Sequence, residues 1–373
     1  MTIHRALLIF SLLLICGCSA KVASITFPDR QEIPAHQYPY KVCSSDFDND
    51  GRQDIAVVSK NGTIRIFLNS AKGFDNPVEL QGDPYSSSLA AGDFNKDGKM
   101  DLAVLTESYI GAFYLGDGKG GFTLYRSASN LLVSGQGRYI EATDLNNDGF
   151  PDLIATGTGF ISIFLNRGSL SFDSYTFFMG SEFAGKYIAA ADLDSNNYRD
   201  IIFSDYNSGK VYIIWNNGDE LFSPPEIIFE AKFSAISAAV PITLSTSPLP
   251  GLCIALETSD ILIFLRNTGN NRFEEKGRIS VVPMPTHLLA VDMNNDGIDD
   301  LVITHLSRSA EKGKITILYG PFPNTQPSAA NLYTHGGFPT GAIAIDWDDD
   351  GYNDLFLPNY DAHTITFIRS PCK

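Results

Sequence analysis

The chain has 373 residues, 44% hydrophobic and 19% charged, with 43 acidic residues against 27 basic ones and a formal net charge of -16. This composition excludes a disordered chain. The acid excess also excludes nucleic acid as a partner, because neutralising phosphates takes clustered Lys and Arg.

Residues 1–17 read as an export signal, with Arg5 ahead of an apolar run from Ala6 to Ile15 and small residues after it. That run is shorter than the roughly 20 residues needed to span a bilayer. The string Ile15-Cys16-Gly17-Cys18 resembles the lipobox of bacterial lipoproteins. The resemblance implies cleavage before Cys18, lipid on that residue, a short tether over 18–23, and a protein held in the cell envelope; without the modification it would be secreted. Cys43, Cys253 and Cys372 then remain, and three cysteines cannot all pair. No Cys/His cluster suggests zinc or a redox dithiol.

Over residues 24–373 one acidic string recurs: DFDNDGRQD at Asp46, DFNKDGKMD at Asp93, DLNNDGFPD at Asp144, DLDSNNYRD at Asp192, DMNNDGIDD at Asp292 and DWDDDGYND at Asp346. The intervals are 47, 51, 48, 100 and 54 residues. The long one has room for a degenerate unit near Pro241, where the flanking apolar pattern persists without carboxylates. Small apolar residues before each string, such as SLAAGD, predict a first strand, and the run after it, such as DIAVVS, a buried second strand. A β-branched run such as TIRIFLN predicts a third strand, and a Gly- or Asn-rich turn ending in Phe leads to a fourth. Seven such units of about 50 residues predict an all-β fold, a seven-bladed β-propeller of four-stranded antiparallel blades. The last unit stops after its third strand, so Ser24 to Pro34 is expected to complete it and close the ring.

The string has the chemistry of a calcium loop. Side-chain oxygens at positions 1, 3, 5 and 9 converge when the chain turns sharply at position 6, and the carbonyl of position 7 adds one more ligand. Position 1 holds Asp46, Asp93, Asp144, Asp192, Asp292 and Asp346; position 3 holds Asp48, Asn95, Asn146, Asp194, Asn294 and Asp348. Position 5 holds Asp50, Asp97, Asp148, Asn196, Asp296 and Asp350; position 9 holds Asp54, Asp101, Asp152, Asp200, Asp300 and Asp354. The carbonyls would come from Arg52, Lys99, Phe150, Tyr198, Ile298 and Tyr352. Asp, Asn and Gly also favour plain turns, but turns need no carboxylate cluster, and like charges about 4 Å apart repel by about 4 kcal/mol at an effective dielectric near 20. Six calcium ions would bring the net charge of -16 to about -4. The Asp192 loop, with Asn196 at position 5 and Asn197 in place of Gly, is expected to bind most weakly.

These strings resemble those of the FG-GAP and VCBS repeat families, including the calcium-binding blades of the integrin α-chain propeller. Lacking a clear Phe-Gly and Gly-Ala-Pro pair, the chain stands nearer the VCBS type. The resemblance implies structural calcium between the first and second strands of a blade and a secreted or surface-attached binding module.

Other signals are weaker. GDGKGG at Gly116 leads into a strand rather than a helix and reads as a hairpin turn. No hydrolase motif appears, and His287, His305, His335 and His363 in the last two units read as core or loop residues. Alternating strand direction places the acidic loops on one face. The other face receives the blade entrances, with Tyr38, Tyr40, Tyr85, Tyr139, Tyr187, Phe233 and Phe338, and the second-to-third-strand turns, with Tyr109, Tyr206 and Tyr360. These rings either wedge between blades or form a recognition surface for a glycan or protein, for which Tyr85, Tyr139 and Tyr187 are the candidates. The expected function is a non-enzymatic binding or adhesion module. The alternative, a lyase-like polysaccharide-active enzyme, would draw on Lys41, Arg138 and Lys186 at the entrances.

Overall fold

A computed structural model describes residues 30–370 except 71–72, 75–76, 107–109, 127–130, 132–135, 246, 282, 307–312, 324–325 and 335–337. Twenty-eight strands form seven four-stranded antiparallel sheets, the blades of a propeller, here numbered one to seven in chain order. The inner strands are Pro39–Ser45, Ser86–Gly92, Gly137–Thr143, Gly185–Ala191, Ile236–Ile242, Pro285–Val291 and Ile343–Ile345. Second strands carry the apolar runs, from Asp54–Ser59 in blade one to Asp354–Asn359 in blade seven, and all their residues are buried in every blade. Outer strands alternate, as in Val78–Gln81, because one side of them meets water. Among the described residues no helix is long and apolar enough to cross a membrane.

The core is divided. Seven apolar clusters each straddle one pair of neighbouring blades, as where Ala56 and Val58 of blade one meet Leu102 and Val104 of blade two. Ile55 and Val57, on the other side of the same strand, pack with Trp347 and Phe356 of blade seven. The period-two alternation of a strand thus feeds both of its neighbours. The Phe that ends the third-to-fourth-strand turn reaches back to the previous blade: Phe74 stacks on Trp347 with centroids 4.9 Å apart, and Phe172 on Phe113 at 5.6 Å.

Arg30–Pro34 pairs antiparallel with Thr364–Ile368 in blade seven, Arg30 opposite Ile368 and Pro34 opposite Thr364. The two ends of the chain close the ring as the missing last strand suggested; residues 24–29 of that segment lie outside the described residues. The degenerate unit is blade five, whose inner strand contains Pro241. Cys43 and Cys253 are free thiols, and Cys372, like Cys18, lies outside the described residues.

Candidate functional site

Each acidic string leaves the end of an inner strand, and five of the six share one pair of hydrogen bonds to position 1, of which Asp144 keeps only the bond from Gly149 N–H at 2.8 Å. In blade one Asp46 accepts the N–H of Asp50 at 3.1 Å on Oδ1 and that of Gly51 at 2.9 Å on Oδ2. Asp93, Asp292 and Asp346 repeat this pair. Asp192 does so with Asn196 and Asn197, the latter at φ 70°, so Asn does supply the left-handed turn that Gly makes elsewhere. Position 5 accepts the N–H of position 7 in all six loops, which folds the backbone of Arg52, Lys99, Phe150, Tyr198, Ile298 and Tyr352 over the carboxylates.

Position 9 is fully buried in every acidic loop. Its two oxygens accept two N–H groups, one from position 2 and one from the residue that leaves the third strand. For Asp54 these are Phe47 at 2.8 Å and Asn69 at 2.6 Å; for Asp152, Leu145 at 2.8 Å and Asn166 at 2.7 Å. Burial is the largest influence on these groups and pushes them up against the pull of those hydrogen bonds, to about 6 at Asp54, Asp101 and Asp300 and about 7 at Asp152, Asp200 and Asp354. Nearby carboxylates of the same loop push in the same direction.

The donor set suits a hard cation. Carboxylate oxygens lie within 4.8 Å of one another in three loops, at Asp46, Asp48 and Asp50, at Asp192, Asp194 and Asp200, and at Asp346, Asp348 and Asp350. Asp144 Oδ1 and Asp348 Oδ1 are buried without a hydrogen-bond partner. An all-oxygen set with orphaned carboxylate lone pairs fits calcium. Basic side chains lean in from the rim, Arg52 on Asp50, Lys99 on Asp97 at 3.6 Å and Arg369 on Asp348 at 2.7 Å.

Two sets of residues escaped the sequence reading. Position 4 has positive φ in all six loops, and its side chain often reaches the next blade's loop: Asn49 to Gly98 O, Lys96 to Asp148 O, Asn147 to Asn197 O and Asn295 to Gly351 O. The Asn leaving the third strand is buried in four blades and bonds back to the position-2 carbonyl of the preceding blade. Asn69 reaches Trp347, Asn166 Phe94, Asn216 Leu145 and Asn267 Leu193, at 2.7 to 2.9 Å. The Asn that ends runs such as FLN was the available signal.

On the opposite face the three candidate tyrosines separate. Tyr85 stands out, 66% exposed at φ 65°, with Phe233 fully exposed and Tyr38 partly so. Tyr139 and Tyr187 do not join them: both are half-buried and line a cavity of about 340 Å³ on the propeller axis. The reason is a register slip at the start of six inner strands, which turns the following residue inward. Tyr187 lies edge-on to His287 at 5.8 Å, and Lys41 sits over Tyr139 at 5.3 Å. Tyr40 and Tyr38 both pack against Tyr360, and Tyr206 donates to Glu257 at 3.0 Å with Lys186 over its ring. Phe338 is half-buried; Tyr109 and His335 lie outside the described residues. His305 is buried between Thr316 and the Pro283 carbonyl, whereas His363 accepts the Tyr38 N–H.

Residues 46–104 and 144–203 match one repeat family, each stretch running from the first aspartate of a loop to the second strand of the next blade. That family is the FG-GAP-like repeat. The FG-GAP-like repeats therefore begin at the loops whose bonds are described above. No curated protein matches the sequence. Among solved structures, BBS1N in complex with ARL6DN is 12% identical, with 93% of this chain and 97% of that one covered at a TM-score of 0.64. Virginiamycin B lyase from Staphylococcus aureus is 15% identical, covering 92% and 99%, at 0.59. An Agrocybe aegerita lectin that recognises non-reducing terminal N-acetylglucosamine is 15% identical, covering 88% and 93%, at 0.55. At such identities the likeness is one of fold.

Proposed function

We propose that this protein is a calcium-stabilised binding module that recognises a glycan or protein through the face opposite its acidic loops, without catalysing a reaction. The observation that carries the reading is the division of labour between the faces. One presents six carboxylate loops that hydrogen-bond within and between blades, and the other exposes Tyr85, Tyr38 and Phe233. Calcium would be held by positions 1, 3, 5 and 9 and would act at a distance, keeping blades in register so that separate entrances present one rigid surface. Propellers that bind a protein partner or a sugar, as in the BBS1N complex and the Agrocybe aegerita lectin, support the reading at the level of fold.

A glycan-array and protein-binding screen with and without calcium tests it. A partner whose binding falls in chelator and weakens about tenfold or more in Tyr85→Ala, with an unchanged melting temperature, is the expected result; no partner on either panel would end the reading. Export and envelope anchoring through Cys18 belong to the same proposal. Mass spectrometry of the membrane fraction should find a lipid-modified N-terminal Cys18, and a soluble product starting elsewhere would remove the anchor.

A further inference from the structure

The sevenfold repeat supplies its own control for the axial cavity. The extra residue at the register slip is Ser87, Ser237 and Thr286 in blades two, five and six, all buried with their hydroxyls bonded to carbonyls. In blades one, three and four the same place holds Tyr40, Arg138 and Lys186. The next residue is Ser88 or Ala238 in blades two and five but Lys41, Tyr139, Tyr187 and His287 in the others. Two residues further on, Glu141 stands where the equivalents include Cys43, Ala90, Ala189, Val240 and Leu289. A lone carboxylate facing an otherwise apolar ring position is costly to keep.

These departures converge. Lys41, Tyr139, Glu141, Tyr187 and His287 all line the 340 Å³ cavity, and Arg138 lines a smaller one of about 180 Å³ beside Tyr40. His287 is 7% exposed, and its Nδ1 is buried without a hydrogen-bond partner. Among the described residues no carboxylate lies within ion-pair distance of Lys41, Arg138 or Lys186, in a chain whose acids outnumber its bases 43 to 27. Arg138 and Lys186 are nonetheless near enough to the Tyr40 phenol to pull against its rise, and Lys41 and Lys186 disfavour a charged His287. Burial pushes Glu141 up and Lys41 down, against the attraction between the two charges.

A carboxyl group, an imidazole and two phenols together offer acceptors and donors, which match hydroxyl groups that do both. Leu89, Ala90, Ile188 and Leu289 offer apolar wall for a C–H face. Arg138, in the smaller cavity, and Lys186 both act on the Tyr40 phenol and have no carboxylate at ion-pair distance among the described residues, which leaves positive charge beside the entrance for an anion. We propose that the axial cavity binds one uronate, a sugar bearing a carboxylate, either free or as the terminal unit of an acidic glycan. Its carboxylate lies toward Arg138 and Lys186, and its hydroxyls toward Glu141, His287 and Tyr139. The inference goes beyond the binding reading by adding a second site on the axis, and it rests on that reading only for the openness of the entrance face.

Calorimetry on the mature chain with calcium tests it, titrating galacturonate, glucuronate, an oligogalacturonate and the neutral methyl ester of each monosaccharide. Saturable one-site binding of an acid, with its ester at least tenfold weaker, is expected. Arg138→Gln and Lys186→Gln should each cost the acid about tenfold, the worth of one charge-assisted contact, and leave the ester and the melting temperature unchanged. Glu141→Gln should weaken acid and ester alike. Binding of the oligomer alone assigns the site to a polymer end, and binding of the free sugar assigns it to a small molecule. Equal affinity for acid and ester, or no binding of any of them, overturns the proposal. Tyr85→Ala should leave uronate binding intact while weakening an array partner, so the two readings fail separately; uronate binding lost in Tyr85→Ala would place the site on the rim and overturn this one.

Discussion

Blades three and five have the same four strands in the same order, yet their first loops share almost no chemistry. Blade three carries Asp144, Asp148 and Asp152, with Leu145 buried between them. In blade five the equivalents are Thr243, Ser247 and Gly251, with Leu244 buried. Two neutral bonds and one carboxylate of the next blade tie that loop down: Ser247 N–H bonds Leu244 O, Ser247 Oγ donates to Asn267 O, and Thr243 N–H bonds the Asp299 carboxylate of blade six. Gly251 is required, since a Cβ there would meet Leu265 O at 2.5 Å. A blade therefore forms without a carboxylate in its own first loop, provided position 2 is apolar and the next strand starts on time. The carboxylates of the other six loops are therefore not needed to form a blade, and a cation is the partner proposed for them.

The comparison breaks first on calcium. An ion at ten times its dissociation constant adds about 1.4 kcal/mol, so chelating six should lower the melting temperature by about 10 °C or more. Scanning calorimetry showing identical melting in EDTA would leave the acidic loops no different from blade five. Packing should come next and should not discriminate between the two kinds of loop. Phe47→Ala, at about 3 to 5 kcal/mol, and Leu244→Ala, at about 3 to 5 kcal/mol, should cost the same in calcium and in chelator by denaturant titration.

A smaller effect belongs to the buried asparagines, which occur in both kinds of blade. Asn216→Ala and Asn267→Ala each strand a buried carbonyl and should cost about 1 to 3 kcal/mol, again without regard to calcium; a cost that vanished in EDTA would make them part of the metal site instead. The smallest difference separates acidic loops from one another. Asp93→Ala should lower calcium stoichiometry by one and stability by about 1 kcal/mol at saturating calcium. Asp192→Ala should cost less, because Asn196 already replaces a carboxylate there, and an equal or larger loss measured by calorimetry would reverse that ranking.

Much of this was legible in the linear chain because it is local. The loops repeat at near-constant spacing, the alternation around them sets strand faces within a few residues, and even blade five kept its apolar flanks when its carboxylates were gone. The weaker signals concerned contacts across blades. Asn166 sits at the end of an ordinary strand pattern, and only the ring brings its amide to Phe94 O, 72 residues away.

By itself, then, the sequence determined the blade count, the places of the acidic loops and the closure by the segment ending at Pro34, all of which depend on short-range periodicity or on counting strands. Tertiary structure alone decided which aromatics meet water. Tyr85, Tyr139 and Tyr187 occupy blade entrances that look alike in sequence. Tyr85 lies just before its inner strand and faces solvent at positive φ, whereas Tyr139 and Tyr187 follow the register slip and turn to the axis. A shift of one residue in a strand sends a side chain to the opposite face, and the ring then gathers what each slip turns inward, from strands about 50 to 250 residues apart, into one cavity.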